Sequence, residues 1–83
     1  MAWKEDKMIL RYTPLEDILQ MLSKRFNVDF VVKSEQMKKY KFSGTFSLQR
    51  LDQILHYLKM SSNINWRYIN DTKQQGKQKI EIY

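Results

Sequence analysis

The feature that most constrains this chain is an internal repeat with a period of 36 residues. Residues 15–32 align with residues 51–68 without a gap, and five of the eighteen aligned positions are identical. The shared pattern is a Leu/Ile stripe at helical spacing, then an Asn, then apolar residues that alternate with other residues. Any two amphipathic helices could share the Leu/Ile stripe, but the matching Asn and the matching strand argue against that alternative. The sequence therefore indicates a duplicated unit.

Each unit is predicted to run strand, helix, strand, and one further strand ends the chain. The predicted helices cover 14–26 and 48–62, and the predicted strands cover 7–12, 28–32, 40–46, 64–69 and 79–83. Thr13, Pro14 and Glu16 match the N-cap, first-turn and N3 positions of a capping box, and Ser47 is the expected cap of the second helix. Asn27 and Asn63 are each expected in the left-handed conformation just after a helix.

The predicted fold class is α+β, a duplicated β-α-β unit in the order βαββαββ. Met21 and Tyr57 lie at equivalent positions outside the two Leu/Ile stripes, which favours helices packed between two small sheets. Gly44 is expected on an inward face, where it would let a helix approach the sheet. The strand residues predicted to face the core are Met8, Leu10, Tyr12, Val28, Phe30, Val32, Tyr40, Phe42, Phe46, Ile64, Trp66, Tyr68, Ile80 and Ile82.

The chain has 83 residues and no Cys, which favours a single domain over residues 1–83, with residues 1–6 resembling a linker. A chain of this size has a thin core and little room for a deep cleft. His56 is the one His and is predicted on the solvent side of the second helix. Without a second His or a thiol, and without a Gly-rich phosphate loop, we expect no catalytic site, no cofactor and no metal.

The net charge of +6 lies entirely in residues 33–83, which hold ten basic and four acidic residues. Such asymmetry permits a nucleic acid, an anionic membrane or an acidic protein as the partner. The order βαββαβ also occurs in RNA-recognition modules, so an RNA- or polyanion-binding module is the alternative function. Against it, the aromatic residues of the third strand are predicted on one face, which leaves Lys41, Ser43 and Thr45 on the other with no base-stacking surface.

Several short motifs follow one another at a characteristic spacing. They are Ala2-Trp3-Lys4, Thr13-Pro14-Leu15, Phe26-Asn27-Val28 and Phe42-Ser43-Gly44-Thr45-Phe46. In this order they resemble the C-terminal periplasmic domain of FecR-type anti-sigma factors in the form common in Bacteroidetes. The same plan is similar to the secretin and TonB short N-terminal domain. The resemblance covers nearly the whole chain, but the polar segment 70–79 is longer than expected for that family.

The resemblance implies a non-enzymatic protein-interaction domain in a membrane-anchored regulator. Its partner would be the signalling domain of a TonB-dependent outer-membrane transporter, contacted in the periplasm. The signal would pass to an extracytoplasmic-function sigma factor through parts of the protein outside these residues, which also holds for the membrane anchor. The resemblance provides no catalytic residues.

The last predicted strand, residues 79–83, is expected at the edge of a sheet because no later element covers it. An edge strand exposes backbone groups that a partner strand can pair with. The partner-binding residues expected on this strand and on the outward side of its neighbour are Lys79, Glu81, Tyr83, Arg67 and Ile69. The alternative is that Lys79 and Glu81 only protect the edge from aggregation.

Overall fold

The computed structural model describes residues 7–69 and 77–83. Its elements follow the predicted order, with one additional 3-10 helix between the second and third strands. They are β1 (Lys7–Pro14), α1 (Leu15–Phe26), β2 (Val28–Val32), the 3-10 helix (Glu35–Lys39), β3 (Lys41–Ser47), α2 (Leu51–Ser61), β4 (Trp66–Ile69) and β5 (Gln78–Ile82). The linker-like residues 1–6 and the polar segment 70–76 lie outside the described residues.

The strands form two small sheets, as predicted. β1 pairs with β3 in an antiparallel two-stranded sheet, and the other sheet has the order β2-β5-β4. β5 runs parallel to β2 and antiparallel to β4. β2 and β4, the second strands of the two β-α-β units, therefore run antiparallel to each other, and β5 lies between them.

One hydrophobic core joins both sheets and both helices. Its buried members are Met8, Leu10, Leu15, Ile18, Leu19, Leu22, Val28, Phe42, Ile54, Leu55, Leu58, Ile64, Ile80 and Ile82. Helix α1 contacts β1 and β2, and α2 contacts β3. This arrangement confirms the α+β class, and the two helical stripes are buried in the same core as the inward residues of both sheets.

The repeat is visible in the burial of equivalent side chains. Leu19 and Leu55 are both buried, and so are Val28 and Ile64 at the start of the segments that follow the helices. The extra apolar residues Met21 and Tyr57 are both about two-fifths exposed, and the Tyr57 ring packs on Phe46 of β3 with centroids 4.5 Å apart. The duplicated pattern therefore corresponds to duplicated packing.

The predicted helix caps are wrong in three of four places. Helix α1 begins at Leu15 and α2 at Leu51, and neither N-terminus has a side-chain cap. Thr13 belongs to β1, where its Oγ1 accepts a hydrogen bond from the Arg11 N–H. Strand pairing through Pro14, with Leu15 N–H donating to the Tyr40 carbonyl, replaces the capping box. Ser47 ends β3 instead of capping α2.

The two helices end differently. Asn27 adopts the predicted left-handed conformation, with φ 57° and ψ 52°, and its N–H donates to the Ser23 carbonyl. Asn63 does not, since Tyr12 and Asn27 are the non-Gly residues with positive φ in the described chain. After α2, Ser62 is extended and the chain runs to Trp66 before β4 begins. The first turn into a strand is therefore tight and the second is open.

Two aromatic residues that were predicted to belong to the core are exposed instead. Tyr12 is 73% exposed because an irregularity in β1 between Leu10 and Thr13 breaks the alternation of faces. Tyr68 pairs with buried Ile80 and shares its face, but it is 46% exposed because β4 is an edge strand. Phe30, Val32, Tyr40, Phe46 and Trp66 are partly buried against the core.

Gly44 faces inward as predicted, opposite Leu10, but for a different reason. Its φ of +143° is a conformation that residues with a Cβ rarely adopt. A Cβ there would lie 3.2 Å from the ring of Phe46, which is in the same strand. The glycine therefore allows an unusual backbone conformation and leaves space for the Phe46 ring.

Candidate protein-interaction surface

The outward side of the three-stranded sheet brings together residues from all three strands. Residues paired across strands share a face, so Val31, Glu81 and Arg67 form one row and Asp29, Lys79 and Ile69 form the next. Lys33 and Tyr83 follow directly after β2 and β5. We call this set of eight residues the three-stranded face. All five residues predicted to bind a partner belong to it.

Glu81 lies at the centre of this face and is 6% exposed. The Arg67 Nε donates a hydrogen bond of 2.6 Å to Glu81 Oε1. The Lys33 Nζ lies 3.4 Å from the other carboxylate oxygen. Both cations remain more than 60% exposed, so a covered carboxylate is bridged by two solvent-facing cations.

This arrangement shifts the acid-base properties of the two central groups. The hydrogen bond from Arg67 lowers the pKa of the Glu81 carboxyl, and the contact with Lys33 lowers it further against the opposing effect of burial. The same hydrogen bond raises the pKa of the Arg67 guanidinium. Glu81 is therefore ionised at neutral pH, and its charge is offset by its neighbours.

Tyr83, Val31 and Ile69 provide the apolar part of the three-stranded face. The Arg67 guanidinium lies 4.9 Å from the centre of the Tyr83 ring, within the range of a cation–π contact. The backbone groups of Tyr83 and Asn65 exchange two hydrogen bonds, which extend the pairing of β5 with β4. Tyr83 is 40% exposed and Val31 is 39% exposed. Aromatic and Arg side chains held in this way are common at protein interfaces.

The prediction that β5 lies at a sheet edge is wrong. β5 is the central strand, because β2 and β4 pair with its two sides. Its backbone groups between Gln78 and Ile82 are therefore engaged within the sheet, and a partner strand cannot add to it. Within the described residues the two edges of this sheet are β2 and β4, and β4 carries Arg67 and Ile69. Lys79 and Glu81 thus do not lie on an edge strand, and the five predicted residues lie on one face of the sheet.

Sequence reasoning missed Val31, Lys33 and Asp29 as parts of this surface. They come from β2, which is far from β5 in sequence and reaches it only through parallel pairing. The alternation in β2 was a usable signal, because Val28, Phe30 and Val32 facing inward leaves Asp29 and Val31 facing outward. Asp29 contacts Lys77, with 3.7 Å between its Oδ1 and the lysine Nζ.

Several shallow depressions also occur on the described surface, and two of them are the following. One, of about 310 Å³, lies between α1, β2 and the 3-10 helix and includes Leu19 and Phe30. The other, of about 360 Å³, includes His56, Asp52 and Trp66. His56 is exposed, as predicted. Arg50 donates two hydrogen bonds to the Asp52 carboxylate, and they lower its pKa.

The described residues 7–69 and 77–83 contain no cluster of three or more residues able to hold a metal ion. No helix within these residues is both long enough and apolar enough to cross a membrane. What the surface does provide is an exposed sheet face with an offset charge cluster and apolar neighbours. Such a face is a candidate surface for binding another macromolecule.

Comparison with known proteins identifies the family of this chain. The model for the C-terminal region of FecR matches residues 7–75, and the chain therefore belongs to the FecR C-terminal family.

Two crystal structures of a candidate anti-sigma factor from Parabacteroides distasonis ATCC 8503, at 1.65 Å and 2.50 Å, have a similar fold. Their TM-scores are 0.72 and 0.70, each at 18% sequence identity over 93% of this chain. The chain spans about a third of the length of those proteins, since 33% of each is covered. No curated protein matches the chain significantly.

Proposed function

We propose that this domain binds the signalling domain of a TonB-dependent outer-membrane transporter in the periplasm. It would be the sensing end of a membrane-anchored anti-sigma regulator, without catalytic activity of its own. The signal would reach an extracytoplasmic-function sigma factor through other parts of that protein. Membership in the FecR C-terminal family supports the regulatory class, and the three-stranded face supports binding as its means.

The observation that carries the proposal is the Arg67–Glu81–Lys33 cluster beside Tyr83. The Glu81 carboxylate holds the Arg67 and Lys33 side chains at defined positions, and Arg67 also contacts the Tyr83 ring. The face therefore presents two positioned cations to solvent. Since the negative charge of Glu81 is covered and offset by its two cationic neighbours, the exposed sides of Arg67, Lys33 and Lys79 present positive potential to a partner. We infer that the contacting surface of the transporter domain is acidic around an apolar centre.

The free edge of β4 adds a second way to hold the partner. Within the described residues β4 pairs only with β5, so its other side offers backbone groups beside Arg67 and Ile69. A partner strand placed there would extend the three-stranded sheet and contact the same face. The predicted residues Arg67, Ile69, Lys79, Glu81 and Tyr83 thus remain the proposed binding residues, on a face and at the edge of β4.

Affinity measurements with matched arginine variants test this proposal. The purified domain is titrated by calorimetry against periplasmic signalling domains of transporters from the same genome. Arg67→Gln is expected to weaken binding about ten-fold or more, because it removes the cation of the cluster and the contact with Tyr83. Arg50→Gln is the control, since Arg50 is equally exposed and also pairs with a carboxylate, on α2.

The control is expected to change the affinity by less than about two-fold, and higher salt is expected to weaken the wild-type complex. Equal losses for both arginine variants would show that net charge alone matters and would reject the three-stranded face. Failure of every signalling domain to bind, with tight binding of single-stranded RNA instead, would favour the alternative polyanion-binding function.

A further inference from the structure

The outward side of the two-stranded sheet is a second exposed face with a different character. We call it the two-stranded face, and it consists of outward residues from β1 and β3. They are Lys7, Ile9, Arg11, Tyr12, Lys41, Ser43, Thr45 and Ser47, and all of them are exposed. Met8, Leu10 and Phe42 of the same strands are buried in the core, and Phe46 packs against it.

All of the charged side chains on the two-stranded face are basic. It carries Lys7, Arg11 and Lys41, and neither β1 nor β3 contains an acidic residue. The three-stranded face differs, because its cations are interleaved with Asp29 and Glu81. Three exposed hydroxyl side chains from β3 lie among the cations, and hydroxyl and ammonium groups are both donors to phosphate oxygens.

Tyr12 is held on this face by an unusual backbone conformation. Its φ is 56°, which is rare for a bulky residue, and its N–H donates to the Ser43 Oγ at 3.0 Å. The irregularity in β1 turns the ring outward, where the Lys41 Nζ lies 4.9 Å from the ring centre. Ile9 is 61% exposed nearby on the same strand. The positive φ of Tyr12 therefore places its amphipathic ring on the basic surface, on the same side as Ile9.

We propose that the two-stranded face binds the surface of an anionic lipid membrane. A lipid surface is uniformly negative, so it favours a face without carboxylates, whereas a protein partner usually presents both signs of charge. Tyr and Ile side chains at the level of the headgroups would add apolar contact, and Tyr is enriched at that interface. RNA is less suited, because this face offers Tyr12 as its one aromatic ring and single-stranded RNA is held by several stacked bases.

The proposal does not depend on transporter binding, because it concerns the opposite sheet. Vesicle sedimentation tests it directly. The 83-residue chain is mixed at low ionic strength with vesicles of 70% phosphatidylcholine and 30% phosphatidylglycerol, and with pure phosphatidylcholine vesicles. We expect binding to the anionic vesicles, loss of that binding at high salt, and no binding to the neutral ones.

A charge-matched pair of double variants locates the binding face. Arg11→Gln with Lys41→Gln removes two cations of the two-stranded face, and Lys24→Gln with Lys59→Gln removes two exposed cations of the helices. Both variants keep a net charge of +4, from +6 minus two. The first is expected to lower the partition coefficient about 25-fold, at about five-fold per cation, and the second less than about three-fold.

Relaxation of backbone amides by nitroxide-labelled lipid supplies a second measurement on the unaltered chain. Amides of Ile9, Arg11 and Tyr12 are expected to broaden first on anionic vesicles. Equal losses in the two double variants, broadening centred on a helix, absence of binding to anionic vesicles, or preference for an RNA oligomer over the vesicles would each overturn the proposal.

Discussion

The two β-α-β units share most of their buried positions but differ in the residues that they contribute to the three-stranded face. Leu19 and Leu55 occupy the same place in the core, and Val28 and Ile64 follow the helices at the same spacing. On the three-stranded face, however, the equivalent residues are Val31 and Arg67, which lie on opposite sides of Glu81. The duplication thus preserves the packing, while the binding surface is asymmetric.

The difference shows how a duplicated fold can carry a surface whose two halves are chemically unlike. β5 lies outside the repeat, and it enters between β2 and β4 with Glu81 facing outward. Only the second unit supplies a hydrogen-bond donor within its strand at that point, namely Arg67, whereas Lys33 reaches Glu81 from the end of β2. Glu81 on the added strand therefore has chemically different neighbours, Val31 and Arg67, at the two equivalent positions of the repeat.

The largest expected effect tests whether the units are equally important for stability. Leu19→Ala and Leu55→Ala should each lower the free energy of unfolding by roughly 2–5 kcal/mol, because each leaves a cavity in the shared core. Urea denaturation of both variants measures this. His56→Ala is the control and should change stability by less than about 0.5 kcal/mol, because the side chain is exposed.

A clear inequality between the two leucine variants would break the equivalence of the units. A loss from His56→Ala comparable to that of Leu55→Ala would show that the inward face of α2 is assigned incorrectly.

A smaller effect is expected where the units differ in backbone conformation. Asn27→Ala should cost about 1 kcal/mol, because Ala is disfavoured in the left-handed conformation. Asn63→Ala should cost less than about 0.5 kcal/mol, since Asn63 lacks a positive φ. Thermal unfolding of the two variants provides the comparison, and equal costs would mean that the two helix ends behave alike.

The third prediction concerns the acid side of the stability profile. Because Glu81 has a lowered pKa in the folded protein, its interactions contribute fully above its unfolded pKa of about 4.5 and are lost as pH falls through the lower folded value. Glu81→Gln should therefore reduce the decline of unfolding free energy between about pH 5 and pH 3. Asp17→Gln, an exposed carboxylate on α1, is the comparison variant.

Parallel declines in wild type and Glu81→Gln, measured by urea denaturation at each pH, would contradict this assignment. A reduction seen only in Asp17→Gln would place the acid-sensitive group in the first unit instead.

Local patterns predicted the elements well because their causes are local. The helical stripes of α1 and α2 and the alternation in β2 follow from side-chain spacing, and β2 was predicted with its observed bounds. The alternation in β4 and β5 also placed Arg67, Ile69, Lys79, Glu81 and Tyr83 on one side. These five residues are the part of the candidate surface that was predicted from the sequence.

Features that depend on distant pairing could not be predicted in the same way. The central place of β5 depends on parallel pairing with β2 across about fifty residues, so the end of the chain appeared to be an edge. The outward position of Tyr12 depends on an irregular pairing with β3, and the missing capping box reflects continuation of that pairing to Pro14. In each case a tertiary contact overrode a local preference.

The most direct test of the proposed binding surface is a map of backbone amide shifts during titration with a transporter signalling domain. If the three-stranded face binds the partner, the largest changes should occur at Val31, Arg67, Ile69, Glu81 and Tyr83. The amides of Gln20 and Lys24 on the exposed side of α1 should remain unchanged. Changes concentrated on α1, with the three-stranded face unaffected, would contradict the account.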